Sequence, residues 1–405
     1  MAKRILIYTN HFYPEHFKIN EAVSWLADEG FHIHVVTGWP NYPEGKIFKG
    51  YGLFKKSFER REKLTIRRLP LIPRGNGSKS RLVINYLTYF LSTLFYTIFL
   101  IFFKKKFDKV LVHHTSPFFI AISAILYKII KRAEAILWDL DLWPQSLEAV
   151  GIINSGRVFN SVEKGVKIFY KKFDVVLVGS KSFIKIVRQR VPHNRVFYFP
   201  NWAEKIIEDN KIKHKLKIDD LNPNALKIMY TGNLGTAQDF ETLCKVIIQN
   251  KKENIQWIFI GEGRYKKKMV QLLSVEVRKN IVRFIPQQKL ATLPSWVAQA
   301  DVLYLSLNDS KLFSQTVPAK LQGYMAMGKP ILGMLAGEGA SIIEEAKCGF
   351  IAPPSNAIKL NEQIRNILNT TKSERKNLGE NGKIFYQKNF SSKIRKKEFI
   401  GYIKN

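Results

Sequence analysis

Short runs of apolar, β-branched and aromatic residues recur along the chain, each closed by glycine, proline or a polar group. In the first half they are KRILIYT, HIHVVTG, KVLVHHT, AILWDLD, VVLVGS and RVFYFPN. In the second half they are LKIMYTG, IQWIFIGEG, IVRFIP, DVLYLSL and KPILGM. Runs of this length and composition read as buried strands. Between them lie stretches with helical spacing: residues 20–29 (ended by Gly30), 118–130, 239–249 and 319–327. Strand and helix in alternation predict parallel sheets, and the scheme runs through twice. The expected fold class is α/β, with two Rossmann-like halves in sequence and no repeat at a solenoid period.

Residues 201–224, NWAEKIIEDNKIKHKLKIDDLNPN, are polar, charged and poorly periodic, and read as the joint between the halves. The expected plan is a first domain over 1–203, a linker over 204–224, a second domain over 225–385 and a basic C-terminal helix over 386–405. In that last segment Phe390, Ile394, Phe399 and Tyr402 share one helical face. Two readings stand for it: a helix that returns to the first domain, or one that lies free on a membrane.

One stretch breaks the alternation. Residues 81–103, RLVINYLTYFLSTLFYTIFLIFF, are long enough to cross a bilayer, which takes about 20 residues. Lys79 and Arg81 flank it on one side, Lys104, Lys105 and Lys106 on the other. Three readings compete: a span, an interfacial helix and a buried core helix. A span would put KRILIYT and HIHVVTG across the membrane from KVLVHHT and AILWDLD, and one sheet cannot form through a bilayer. Interfacial seating is therefore the expectation, with Tyr86, Tyr89 and Tyr96 at headgroup depth.

Composition adds scale and a partner. The 405 residues fit two domains, and 46% apolar with 13% aromatic content supplies two cores and excludes disorder. Lys and Arg number 65 against 33 Asp and Glu, a formal charge of +32. Such an excess points to a polyanion, either nucleic acid or an anionic membrane face, although lysines spread along the whole chain also fit a merely lysine-rich composition. No zinc-finger spacing or aromatic RNA-recognition motif accompanies the charge, so an anionic membrane surface is the expected partner and nucleic acid is not. Cys244 and Cys348 are too few for a disulfide framework, have no metal-ligand spacing with histidine, and point to a reducing compartment. Met1 to Arg4 lead straight into the first strand, leaving no cleavable apolar segment.

In open α/β sheets ligands bind outside the carboxyl ends of strands, so two such halves facing one another would form a cleft between them. The strand ends here carry His11, then Gly38-Trp39-Pro40-Asn41-Tyr42-Pro43, then Asp139-Leu140-Asp141. In the second half they carry Gly232-Asn233-Leu234-Gly235 and Gly261-Glu262-Gly263. Gly232 and Gly235 stand between strand and helix, where main-chain amides can face a diphosphate; a plain strand-to-helix turn is the other reading. Gly261 and Gly263 allow close backbone approach at the next strand end, with Arg264 in reach of phosphate or base, or simply solvated.

The pieces WPNYPEGKIFKGYG, DLWPQS, FPNWAE, YTGNLGTAQDF, FIGEG, VPAKLQGYMAMGKPIL and CGF, in this order, resemble family-4 glycosyltransferases of the GT-B fold. The likeness is nearest to bacterial O-antigen, capsule and colanic-acid transferases, including those that move N-acetyl-L-fucosamine. The resemblance implies a retaining, metal-independent, hexosyltransferase-type enzyme with no cofactor, working at the cytoplasmic face of the inner membrane as a peripheral or monotopic protein. It would move an N-acetylated or deoxy hexose from a UDP-sugar to a polyprenyl-diphosphate-linked saccharide. It places the nucleotide-sugar against Gly232, Asn233, Leu234, Gly235, Gln238, Gly261, Gly263 and Arg264, and the nucleobase against Phe284, Ile285 and Pro286.

The chain also departs from that pattern. The two glutamates common in the family fall on Gln315 and Gly323, and cations common near the diphosphate fall on Asn233 and Gln238. Gln315 can still bond a sugar hydroxyl, whereas Gly323 cannot hold a ribose. Lys320 is the expected substitute cation, with Arg264 second, although an ordinary solvated lysine is the alternative. The family's catalytic histidine sits near the strand end occupied by Asp139 and Asp141, so an aspartate there is expected to orient or deprotonate the acceptor hydroxyl, Asp141 ahead of Asp139. Helix capping or a salt bridge is the competing reading of this pair, and no metal is expected at it. His11, Glu15 and Trp39 are the candidates for lining the acceptor loop. A nucleotide-sugar epimerase of the same fold, a basic nucleic-acid binder and a non-catalytic relative are the rival functions.

Overall fold

The computed structural model describes residues 3–116, 118–149, 153, 156–191, 195–209 and 221–404. The chain divides into two compact units, residues 1–199 with 396–405, and residues 200–395. Residues 210–220 of the expected linker lie outside the described residues. Ahead of them, helix Lys205–Glu208 belongs to the second unit, where Glu208 accepts from the Tyr386 hydroxyl at 2.5 Å and from the Ser392 amide at 2.6 Å.

The first unit is built on β1 (Arg4–Thr9), β2 (His32–Gly38), β3 (Phe58–Arg60), β4 (Leu64–Leu69), β5 (Lys109–His114), β6 (Glu134–Asp139), β7 (Val175–Val178) and β8 (Arg195–Tyr198). Their order is β3-β4-β2-β1-β5-β6-β7-β8, parallel except for the edge strand β3. Strands β1, β5 and β6 are covered on both faces, which is why they read as unbroken apolar runs. Strand β4 does not read that way, because Arg67 and Arg68 interrupt it; Arg68 is nonetheless buried, bonded to Glu59 and to the Tyr13 carbonyl at 2.8 Å.

The second unit holds β9 (Leu226–Thr231), β10 (Ile255–Ile260), β11 (Val282–Ile285), β12 (Val302–Ser306), β13 (Ile331–Met334) and β14 (Gly349–Ala352). All pair in parallel, in the order β11-β10-β9-β12-β13-β14. Both sheets reverse direction beside their first strand, between β1 and β5 and between β9 and β12. Those reversals are topological switch points, where loops diverge and leave room for a ligand at the strands' carboxyl ends.

The apolar stretch forms helix Lys79–Phe103, in line with the reading that ruled out a span but at odds with the depth expected for one of its tyrosines. It does not cross a bilayer, since β1 and β2 before it and β5 and β6 after it pair in one sheet. Nor does Tyr89 lie at headgroup depth: it is fully buried, and its hydroxyl donates to the Thr9 carbonyl at 2.6 Å. The C-terminal helix, Ser392–Lys404, returns to the first unit rather than lying free. There Phe399 is buried against Trp25, Trp138 and Phe199.

Candidate active site

In the second unit the chain leaves β9 at Gly232, whose φ of +118° suits glycine, and leaves β10 at Gly261, at +151°. The two loops run side by side and extend the sheet's pairing. Gly232 N–H donates to the Ile260 carbonyl at 2.8 Å, Leu234 N–H to Glu262 at 2.8 Å, and Tyr265 N–H to Leu234 at 2.9 Å. Gly261 N–H donates to the Ile285 carbonyl at 3.0 Å, joining the end of β11 to the same layer. A Cβ on Gly261 would stand 1.9 Å from the Gly232 carbonyl oxygen, and one on Gly263 would stand 2.3 Å from that of Leu234. The glycines are thus required by loop-to-loop contact.

This contact corrects the expected amide cradle. The amides of Gly232 and Leu234 are spent on the neighbouring loop, and Gly235 N–H donates to the Gln238 side chain at 3.0 Å. Asn233 folds over Gly235, where a Cβ would meet its amide nitrogen at 2.6 Å. The following helix, Phe240–Gln249, is capped by Asp239, whose carboxylate accepts from the Thr242 amide at 3.4 Å and the Ser355 hydroxyl at 2.8 Å. A carboxylate at that helix start opposes a second anion there.

The cation at this strand end is Lys320, on helix Ala319–Ala326. Its amine donates to the Tyr230 hydroxyl, lies 4.0 Å from the centroid of that ring, and covers Gly232 closely enough that a Cβ there would meet Lys320 Cε at 2.6 Å. Burial lowers the amine from 10.5 to about 7. From the same helix Tyr324 accepts the Thr231 amide at 3.0 Å, fixing the helix against the end of β9. Arg264 is exposed beyond β10, with no hydrogen bond or ion pair among the described residues. Gln315 ends helix Lys311–Ser314, and that turn packs on Gly337, where a Cβ would stand 1.9 Å from the Ser314 carbonyl. Gly323 follows Lys320 by one turn and faces open space, with nothing within 4 Å of a built Cβ.

In the first unit a second cluster stands at the switch point between β1 and β5. Asn10 Nδ2 at 3.3 Å and Arg74 Nη2 at 2.9 Å both aim donors at His11 Nε2. Nε2 is therefore the acceptor, and the proton sits on Nδ1, 2.8 Å from Glu15 Oε2. Burial lowers the His11 pKa, and Arg74 adds to the effect while Glu15 opposes it. Glu15 also accepts the amides of Asn41 at 2.9 Å and Tyr42 at 2.7 Å. His11 and Glu15 are each only 3% exposed, so neither lines an acceptor loop; they hold residues 39–43 in place. Trp39 is half-buried in that loop, and its amide donates to the Leu69 carbonyl at 3.1 Å.

The two aspartates at the end of β6 separate in role. Asp139 is fully buried, with Oδ1 2.6 Å from His114 Nδ1 and 3.3 Å from the Asp141 amide, and Oδ2 accepting from the Tyr170 hydroxyl. Burial pushes its carboxyl upward, but the bonds and charge of His114 outweigh that and hold it below the usual carboxylate range. With its acceptors occupied and no exposed surface, Asp139 does not meet a substrate, which corrects its catalytic assignment. Asp141 is half-buried; the Ser116 hydroxyl donates to its Oδ2, and Oδ1 has no partner among the described residues. Trp143 Nε1 donates to Ser116 at 2.8 Å and holds that hydroxyl in place.

Sequence reasoning passed over Arg74, Ser116 and Tyr230, and took Tyr86 for a lipid contact. Arg74 lies over the rings of Tyr42, at 5.5 Å, and Tyr86, at 5.7 Å. Tyr86 feels the charge of Asp141 as well as that of Arg74, although burial is the main cause of its raised pKa. No motif marks these residues. In the first unit, loops distant in sequence bring Arg74, Tyr86 and Asp141 together, while Tyr230 stands in the second unit under Lys320; the one available cue was nearness to strand ends.

Comparison with known proteins accords with this geometry. Residues 211–385 match the family described as Glycosyl transferases group 1. The chain is 24% identical over 341 residues to the Escherichia coli K12 protein named putative colanic acid biosynthesis glycosyl transferase WcaI, covering 80% of this chain and 81% of the relative. It is also 24% identical over 345 residues to the Pseudomonas aeruginosa protein named probable glycosyltransferase WbjE, covering 82% of each. Among solved structures, Thermosynechococcus elongatus sucrose-phosphate synthase has a TM-score of 0.73 at 14% identity, over 100% of this chain and 98% of that one. Anabaena HepE in complex with UDP and glucose has a TM-score of 0.65 at 12% identity, over the whole of both chains. At these identities the structural likeness is one of fold, and the fold is the two-unit GT-B architecture.

Proposed function

Because residues 211–385 match the family described as Glycosyl transferases group 1 and the fold is GT-B, we propose that this protein transfers an N-acetylated or deoxy hexose from a UDP-sugar to a polyprenyl-diphosphate-linked saccharide in surface-polysaccharide assembly. The observation that carries the reading is the Lys320 amine, set over Gly232 at the switch point beside β9. The names of the two curated relatives support the process, and the solved relative with bound UDP supports the donor class.

The donor lies on the second unit, with its diphosphate against Lys320 and Arg264. Gly263, Leu234 and Ile285 shape that surface through their backbone, and Gln315 bonds a sugar hydroxyl. The acceptor lies on the first unit, where the free Oδ1 of Asp141 orients its hydroxyl or takes its proton. As the bond from the anomeric carbon to the diphosphate breaks, the acceptor oxygen bonds to that carbon and UDP departs. Configuration is retained, and no metal takes part. Lys320 stabilises the charge that grows on the leaving oxygen. The work is done at the cytoplasmic face of an anionic membrane, where such an acceptor resides.

A donor screen tests this reading. Purified protein is incubated with single UDP-sugars and an undecaprenyl-type diphosphate-linked saccharide, and products are weighed by mass spectrometry. One donor should add a single sugar mass to the acceptor and release UDP. Turnover of the donor without acceptor would show an epimerase instead, and no turnover with any donor would remove the proposal.

A further inference from the structure

Helix Lys79–Phe103 is inside out. Its buried stripe is polar from Asn85 to Thr97 and apolar only at its end, Leu100 and Ile101: Asn85 donates to the Ile72 carbonyl at 2.6 Å, Tyr89 to Thr9 at 2.6 Å, and Thr97 meets the Tyr8 hydroxyl at 2.6 Å. Its outer face is apolar, with Val83, Leu87, Leu91 and Phe99 exposed, and Phe95, Phe102 and Phe103 at 70%, 74% and 72%. A helix at a water surface shows the opposite arrangement. The next helix, Ile120–Lys131, packs on it through Ser123 to Thr93 at 3.3 Å and exposes Ile129 and Ile130. Helix Arg157–Tyr170 continues the row through Phe118 and Phe169 and exposes Val158 and Ile168.

Charge identifies what covers this face. The three helices are followed by Lys104-Lys105-Lys106, by Arg132 after Lys131, and by Lys171-Lys172. Residues 79–106 and 120–132 contain no Asp or Glu, and Glu163 in the third helix is engaged by Arg190 at 2.8 Å. Exposed phenylalanines rimmed by lysines that form no ion pair among the described residues match an anionic lipid surface, with rings in the acyl boundary and ammonium groups among phosphates.

We propose that the outer faces of these three helices form a permanent docking surface for an anionic lipid bilayer. Helix Lys79–Phe103 lies in the membrane plane and stays bonded to β1 while docked. This rests on the proposed lipid-linked acceptor and deepens it. The same helix carries Tyr86 beside Arg74, within the electrostatic reach of Asp141, and Val83 and Leu87 exposed on neighbouring turns. One helix thus leads from the lipid to the candidate acceptor site.

The test is co-sedimentation with phosphatidylcholine vesicles with and without phosphatidylglycerol, with no donor or acceptor present, so that its outcome is independent of catalysis. The protein should bind the anionic vesicles. The variant Phe95→Ser/Phe102→Ser/Phe103→Ser and the variant Lys104→Glu/Lys105→Glu/Lys106→Glu should each partition at least ~10-fold less. Unfolding midpoints should stay near that of the parent, since these side chains are exposed; if the phenylalanine variant misfolds, the lysine variant carries the test. Equal binding to both vesicle types, unchanged binding by the variants, or a lipid-free dimer abolished by the phenylalanine changes would overturn the proposal.

Discussion

The Lys320 amine lies 4.0 Å from the centroid of the Tyr230 ring and donates to its hydroxyl, which in turn donates to the Asn233 carbonyl at 2.7 Å. The helix after β12 is thereby tied to the glycine loop after β9, and a partly buried amine is held at the strand end where an anion would sit. Burial brings this amine to about 7.

A proton should therefore follow the donor. In the free protein at about pH 8 Lys320 is mostly neutral, and a diphosphate beside it favours the charged form, so UDP binding should take up most of one proton. Calorimetry in two buffers of different ionisation enthalpy measures the uptake. Lys320→Met should abolish it and cut turnover by about 100-fold or more. The folded pKa lies below the unfolded one, so the unfolded chain binds the extra proton between about 7 and 10.5 and parent stability rises with pH across that window. The variant should lose that rise. Uptake that persists in Lys320→Met would remove the lysine from the donor site.

Two glycines should respond in opposite directions. Gly261→Ala puts a methyl 1.9 Å from the Gly232 carbonyl at a φ of +151°, and should cost about 2 kcal/mol or more. Gly323→Ala meets nothing within 4 Å inside a helix and should stabilise by about 0.5–1 kcal/mol. Denaturant titration reads both. A destabilising Gly323→Ala would mean that the helix itself demands glycine there.

The aspartates of β6 should separate structure from chemistry. Asp139→Asn leaves His114 and Tyr170 without their carboxylate and should cost about 3–5 kcal/mol. The folded-state pKa of Asp139 is depressed, so its contribution is present above the ordinary carboxyl pKa and lost as pH falls through the folded value. Acid unfolding should lose that component in the variant. Asp141→Asn should stay within about 1 kcal/mol of the parent, because its carboxylate is half-buried, yet lower transfer strongly. An active, stable Asp139→Asn would contradict this division.

The returning helix should be structural. Phe399 is fully buried among Trp25, Trp138 and Phe199, so Phe399→Ala should cost about 3–5 kcal/mol. Thermal unfolding checks it, and an unchanged midpoint would leave the C-terminal helix as a mere appendage.

Much of this molecule is written locally. Strands β1, β2, β5, β6, β9, β10 and β12 were legible because a parallel strand covered on both faces must be an apolar run of its own length. The glycines after β9 and β10 were legible because a left-handed or crowded backbone leaves few other choices. Helix Lys79–Phe103 was legible as apolar, but not which way its faces turned, because the composition of its 25 residues does not say that Tyr89 and Thr97 would find partners on β1 and Asn85 one in the segment after β4. The same reason hid the burial of Glu15 and Asp139 and the convergence of Arg74, Tyr86 and Asp141. A side chain's polarity is its own property, whereas its partners come from loops brought together only when the sheet assembles, and those partners decide whether a charge is spent inside the protein or left for a ligand.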